Sequence, residues 1–145
     1  MTQVVSSLLA FLVALAVLIA VHEWGHFWVA RRLGVKVLRF SVGFGRSVWQ
    51  RTGADGTEYR LALIPLGGYV KMLDEREGEV APHELHRAFN RASLPARIAV
   101  VSAGPIFNLI FAVLAYWLMF MAGVTGLKPV LGEVAQDTPA AHSGL

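Results

Sequence analysis

"LIAVHEWGHFWVARR", residues 18–32, places two histidines, a glutamate and a pair of arginines at the end of a long apolar run. Upstream of it, Val4 to Val21 is 18 residues without a charge, with Ser6 and Ser7 its only polar members. As a helix rising about 1.5 Å per residue, that run reaches about 27 Å, close to the thickness of bilayer hydrocarbon. No Lys or Arg precedes it, and it exceeds the roughly 7 to 15 apolar residues of a secretory leader, so a permanent membrane span is expected. An ionisable side chain in such a span costs roughly 2.5 to 3.5 kcal/mol at its centre, so three together imply a use.

The spacing suggests that use. His22-Glu23-Trp24-Gly25-His26 reads H-E-x-x-H. On a helix, residues four apart lie about 40° apart around the axis, so both imidazoles share one face and can share one metal ion. Neutral imidazole suits Zn²⁺, and Glu23 is placed to take a proton from an activated water and return it to a leaving amine. Gly25, lacking a side chain, is expected to leave room beside the metal. A span that binds haem through one axial histidine is the competing reading, but it uses neither Glu23 nor the spacing.

Composition agrees with a membrane protein: of 145 residues, 55% are hydrophobic and 16% charged. A second apolar run covers Ile98 to Leu127, interrupted by Gly104-Pro105, which is expected to kink or break it, and carrying Asn108. Twelve of the 13 Lys and Arg residues fall between Arg31 and Arg97, Lys128 being the exception. Basic residues are retained in cytoplasmic loops, so residues 31–97 are expected inside, with the N-terminus and everything after Lys128 on the far side. Seven acidic residues are mixed into the same loop, which argues against a nucleic-acid surface. Cysteine is absent, so no disulfide or thiolate chemistry is available.

The expected organisation is a mainly α-helical membrane protein. Residues 1–33 form the first transmembrane helix, and residues 34–75 a β-hairpin or small sheet. Alternating Val35, Val37, Phe40, Val42 and Phe44, then Tyr59, Leu61 and Leu63, carry the β reading, with a turn at Asp55-Gly56. Residues 76–97 form a loop with an amphipathic helix bearing Leu85, Ala88, Phe89 and Ala92 on one stripe. Residues 98–126 form the second transmembrane helix. His83 and His86 are read as solvated, and Trp24, Trp28 and Trp117 as interface or packing residues. Asn108 is expected to hydrogen-bond across to the first helix or to meet a bound substrate.

"VHEWGHFWVARR", "RFSVGFG", "IPLGGYVKM", "AFNRAS" and "SAGPIFN" together resemble the bacterial site-2 proteases of the RseP type, over essentially the whole chain. The resemblance implies an intramembrane zinc metalloprotease in the bacterial inner membrane, with His22 and His26 as zinc ligands and Glu23 as general base. It implies that the β-element re-enters the membrane near the active site and that residues 127–145 begin a periplasmic PDZ domain, and the family's Gly-Pro-x-x-Asn pattern falls on Gly104, Pro105 and Asn108. The implied partners are the lipid bilayer and a single-pass membrane protein, such as an anti-sigma factor or a remnant signal peptide. The family takes its third zinc ligand from an aspartate in a later transmembrane helix, and no matching motif occurs here. Asp55 and Asp74 are the loop carboxylates that could substitute, without support from their context. The chain is therefore expected to be an N-terminal portion, inactive by itself. A non-catalytic homologue acting as a membrane-embedded binding protein is the alternative.

Overall fold

A computed structural model describes residues 1–123. In chain order come helix α1 (Thr2–Arg32), strand β1 (Val37–Thr52), strand β2 (Glu58–Met72) and helix α2 (Leu94–Ala122), with two short 3-10 turns before α2. Both helices are long and apolar enough to cross a membrane. The expected start of a PDZ domain, residues 127–145, lies outside the described residues.

α1 has 31 residues and no glycine or proline before Gly25, so nothing interrupts its hydrogen-bond ladder. Leu8, Phe11 and Val13 are all exposed, as suits a helix solvated by lipid. The helix ends in a Schellman turn: Gly34 takes φ 80°, its N–H donates to Arg31, and the Val35 N–H donates to Ala30. Val35 and Ala30, the apolar pair of that motif, are both buried. In the last turn the Arg31 guanidinium lies 5.2 Å from the Phe27 ring and that of Arg32 lies 4.6 Å from Trp28.

β1 and β2 pair antiparallel, but the hairpin is doubled back on itself. Phe40, Ser41 and Val42 pair with Val70, Tyr69 and Gly68 on one side, and with Tyr59, Arg60 and Leu61 on the other. Trp49, Gln50 and Arg51 cover the outer side of that second run. Each strand therefore bends in its middle. β1 bends at Gly43, whose φ of 87° favours glycine and where a Cβ would lie 2.9 Å from the carbonyl oxygens of Ala62 and Ile64. The doubling returns the sequence turn to α1: Asp55 pairs with Arg31 at 2.8 Å, and the buried Thr57 hydroxyl donates to the Val37 carbonyl at 3.0 Å. What projects instead is the bend itself, with Phe44, Val48, Leu63, Ile64 and Leu66 exposed.

The core sits at the arginine-bearing end of α1. Phe27, Ala30, Val35, Val37 and Val100 form it, with Phe40, Tyr59, Val70 and Phe89 packed against them. Each large apolar side chain buried there contributes about 1.5 to 3 kcal/mol, whereas a half-exposed pair such as Arg31–Asp55 contributes about 0.2 to 1 kcal/mol. Apolar packing thus holds the sheet to α1, and the ion pair sets its orientation.

Residues 76–97 differ from the expected amphipathic helix. They contain the 3-10 turns Pro82–Arg87 and Phe89–Arg91, separated by an extended Ala88 with ψ 136°. The reason is tertiary: the Phe89 N–H donates to the Leu73 carbonyl at 2.7 Å, committing it to the chain that leaves β2. Nearby, Glu75 bonds Arg91 and Asn90, and these bonds, Arg91 first, hold its carboxyl down at about 2. α2 starts at Leu94, earlier than residue 98, because Ser93 caps it, its hydroxyl accepting the Ala96 N–H, and Pro95 suits the first turn. It is not broken at Pro105 but continues through it. Residues 1–114 form one compact unit.

Candidate metal centre

α1 and α2 meet through their smallest residues. A Cβ on Gly25 would lie 2.7 Å from the Ala103 carbonyl oxygen and 2.9 Å from the Phe107 ring, so the space expected beside the metal is taken by α2. The absent side chain serves helix contact, as small residues do between membrane helices. On α2 the buried Val100, Ala103 and Gly104 face this contact.

The close approach brings α2 under the two histidines. His22 Nε2 and His26 Nε2 lie 3.2 Å apart, with the rings edge to face at 79°. His26 Nδ1 lies 2.7 Å from the Val100 carbonyl oxygen, an acceptor only, so Nδ1 carries the proton and Nε2 presents its lone pair. The Asn108 side-chain nitrogen Nδ2 lies 3.4 Å from His22 Nδ1.

This donor set fits a tetrahedral metal ion. Two nitrogens at the usual 2.0–2.1 Å from one zinc are separated by about 3.3 Å, close to the separation found here. Gly104 supplies a second test. A Cβ there would lie 2.6 Å from His22 Nε2 and closer still to His26 Nε2, so any larger residue would intrude on the space both nitrogens address. Two nitrogens this close on one side of a helix do not match a single axial ligand, which removes the motive for the haem reading. Among the described residues no group of three His, Cys, Asp or Glu side chains is placed to hold a metal. Asp55 is engaged with Arg31 and Thr57, and Asp74 with the Arg76 N–H and side chain. His83 and His86 are exposed, as expected.

Glu23 lies on the same cavity of about 380 Å³ as His22 and Asn108, with Phe44, Gly67 and Gly68 of the sheet forming another wall. Gly68 abuts Glu23 directly: a Cβ on it would come within 2.7 Å of Glu23 Cγ and 2.8 Å of the Ser41 carbonyl oxygen. The sheet therefore reaches the glutamate along backbone, with no side chain between. Sequence reasoning missed Gly104, the Val100 carbonyl and the contact of Gly68 with Glu23. The Gly104-Pro105 pair was an available signal, read there as a kink or break in the second span.

The model of peptidase family M50 matches residues 10–143. "Protease RseP" of Yersinia pestis is 56% identical over 145 residues, all of this chain and 32% of the relative. "Regulator of sigma-E protease RseP" of Escherichia coli K12 is 60% identical over 136 residues, 94% of this chain and 30% of the relative. The "Regulator of sigma E protease" of Haemophilus influenzae is 47% identical over 137 residues, 94% of this chain and 31% of the relative. The chain thus spans about a third of the length of the curated relatives it matches. With the family match covering nearly every residue, including the paired histidines and the glutamate between them, the chain belongs to peptidase family M50.

Proposed function

We propose that the protein is a zinc endopeptidase that cuts transmembrane segments of other membrane proteins within the bilayer of the bacterial inner membrane. The observation that carries this reading is the convergence of His22 and His26 Nε2 at 3.2 Å beside a cavity that also receives Glu23. His22 and His26 would hold the metal. Zinc, when bound, supplies Lewis acidity that polarises water and the scissile carbonyl. Glu23 accepts the proton of the attacking water on its carboxylate and delivers it to the nitrogen of the departing amine. The apolar walls, Leu15, Leu18 and Ile19 of α1 with Phe44 of the sheet, limit water around the reacting groups. Asn108 adds a polar group to the α2 wall where a bound backbone would pass.

A helical substrate hides its carbonyls in hydrogen bonds and must be extended before attack. The doubled-back sheet supports a way to hold it. Phe40 to Val42 of β1 are paired on both sides, which leaves the outer edge of β2 around Gly68, next to Glu23, to accept an added strand. The relatives' names connect them to sigma-E regulation, so the substrate proposed is a single-pass membrane protein such as an anti-sigma factor, or a remnant signal peptide. In this reading residues 31–97 are cytoplasmic, and residues 127–145 open a periplasmic PDZ domain.

Metal analysis with activity assay of the full-length gene product tests the proposal. Wild type is expected to carry zinc and the His22→Ala variant to lose it, while Glu23→Gln keeps zinc and loses about 10²- to 10⁴-fold in cleavage rate. Retained cleavage in Glu23→Gln would overturn the assignment of the base, and unchanged zinc in His22→Ala that of the metal site.

A further inference from the structure

Each imidazole of the pair has a second nitrogen, and neither second nitrogen is served from α1. Both turn to α2. His26 Nδ1 meets the Val100 carbonyl at 2.7 Å, and His22 Nδ1 meets the Asn108 side chain. A metal-ligating histidine donates its other N–H to an oxygen acceptor, which fixes the tautomer, holds the ring plane and raises ligand basicity. Val100 does this for His26. We infer that Asn108 does it for His22, as a positioning residue whose side-chain oxygen accepts the Nδ1–H.

Two observations converge. Asn108 Nδ2 lies 3.4 Å from His22 Nδ1, so the amide is already within reach of the ring. Its oxygen Oδ1 is buried and finds no partner among the described residues. A half turn about the bond joining the amide to its stem exchanges Nδ2 and Oδ1 in nearly the same space. With nitrogen toward His22, the amide donates to Nδ1 and keeps the ring's proton on Nε2, where it blocks a metal. With oxygen toward His22, Nδ1 carries the proton, Nε2 is free beside His26 Nε2, and the buried oxygen gains its partner. Only the second arrangement leaves both Nε2 lone pairs available.

The positions explain the spacing on α2. Val100, Gly104 and Asn108 recur at four-residue intervals and so lie along one stripe of the helix. One acceptor serves His26, the bare residue makes room for the ion, and the last acceptor serves His22. α1 thus carries the ligands and α2 carries what orients them.

The inference rests on His22 and His26 being the metal ligands, and the experiment separates the two ideas. The zinc dissociation constant of the full-length gene product is measured by competition with a chromophoric chelator for wild type, Asn108→Leu, Asn108→Asp and His22→Ala. Leu is an apolar replacement of similar size that the membrane tolerates, and Asp returns an oxygen acceptor. Asn108→Leu is expected to weaken zinc about 10- to 100-fold, with Asn108→Asp binding as tightly as wild type. Unweakened zinc in Asn108→Leu overturns the inference, and so does equal weakening in Leu and Asp, which marks lost packing rather than a lost acceptor. Unchanged zinc in His22→Ala overturns the metal site itself, and this inference with it.

Discussion

The convergence of the two histidines was legible from a handful of residues because its geometry is local. Four positions along a helix bring two imidazoles to one side whatever the rest of the chain does, so His22, Glu23 and His26 needed no tertiary information. Gly104 and Asn108 lie about 80 residues further on, and their contacts exist only because α2 crosses α1 at Gly25. Sequence alone pointed to Asn108 as an interhelical partner but could not name the atom it meets. Gly104 yields a sharp prediction, since two effects oppose each other there. Replacing it by alanine favours the helix by about 0.8 to 1 kcal/mol of propensity. The same methyl group would lie 2.6 Å from His22 Nε2. Gly104→Ala is therefore expected to keep helix content by circular dichroism while purified protein loses its zinc by mass spectrometry; full zinc occupancy would show that the rings retreat without losing the ion.

Among the elements, those governed by near-neighbour chemistry were readable. α1 ends where Gly34 invites a left-handed residue, and β1 and β2 turn at Asp55-Gly56. The start of α2 was equally written in Ser93 and Pro95, a cap and a first-turn proline that the charge of Arg97 overshadowed. Two features were not readable. The doubled-back sheet depends on Phe40 to Val42 pairing twice, a long-range choice to which alternation is blind. The 3-10 turns replace an α-helix because the Leu73 carbonyl claims the Phe89 N–H. The doubling carries a prediction for substrate capture. Strand residues direct N–H groups alternately to the two sides, so of Tyr69 and Val70 one points its N–H away from β1. Proline at that outward position is expected to slow cleavage of a membrane substrate about 10-fold or more with zinc content unchanged, by removing a main-chain donor without breaking the existing ladder. Cleavage at the wild-type rate would argue against strand addition on this edge.

For the molecule as a whole, charge does what no single element can. Twelve of 13 basic residues lie between Arg31 and Arg97, between two helices able to cross a membrane, which supports a cytoplasmic sheet and 3-10 region. Residues 1–145 contain no cysteine, so a thiol introduced at any one of them is the only one in this part of the protein. In intact spheroplasts a membrane-impermeant maleimide is expected to label Thr2→Cys and to spare Ala81→Cys until the membrane is permeabilised; the reverse pattern would invert the topology. The anchoring of α1 then has a metric consequence. Arg31 is tied to Phe27 and Asp55, and His26 and His22 stand five and nine residues before it. At about 1.5 Å per residue these distances are about 7.5 and 13.5 Å, which under the proposed topology makes α1 a depth gauge counted from the cytoplasmic surface. Under the proposed function, a peptide bond is chosen by how far below that surface it lies, and target proteins unrelated in sequence would be severed at a common level, each leaving a short stub on the cytoplasmic side.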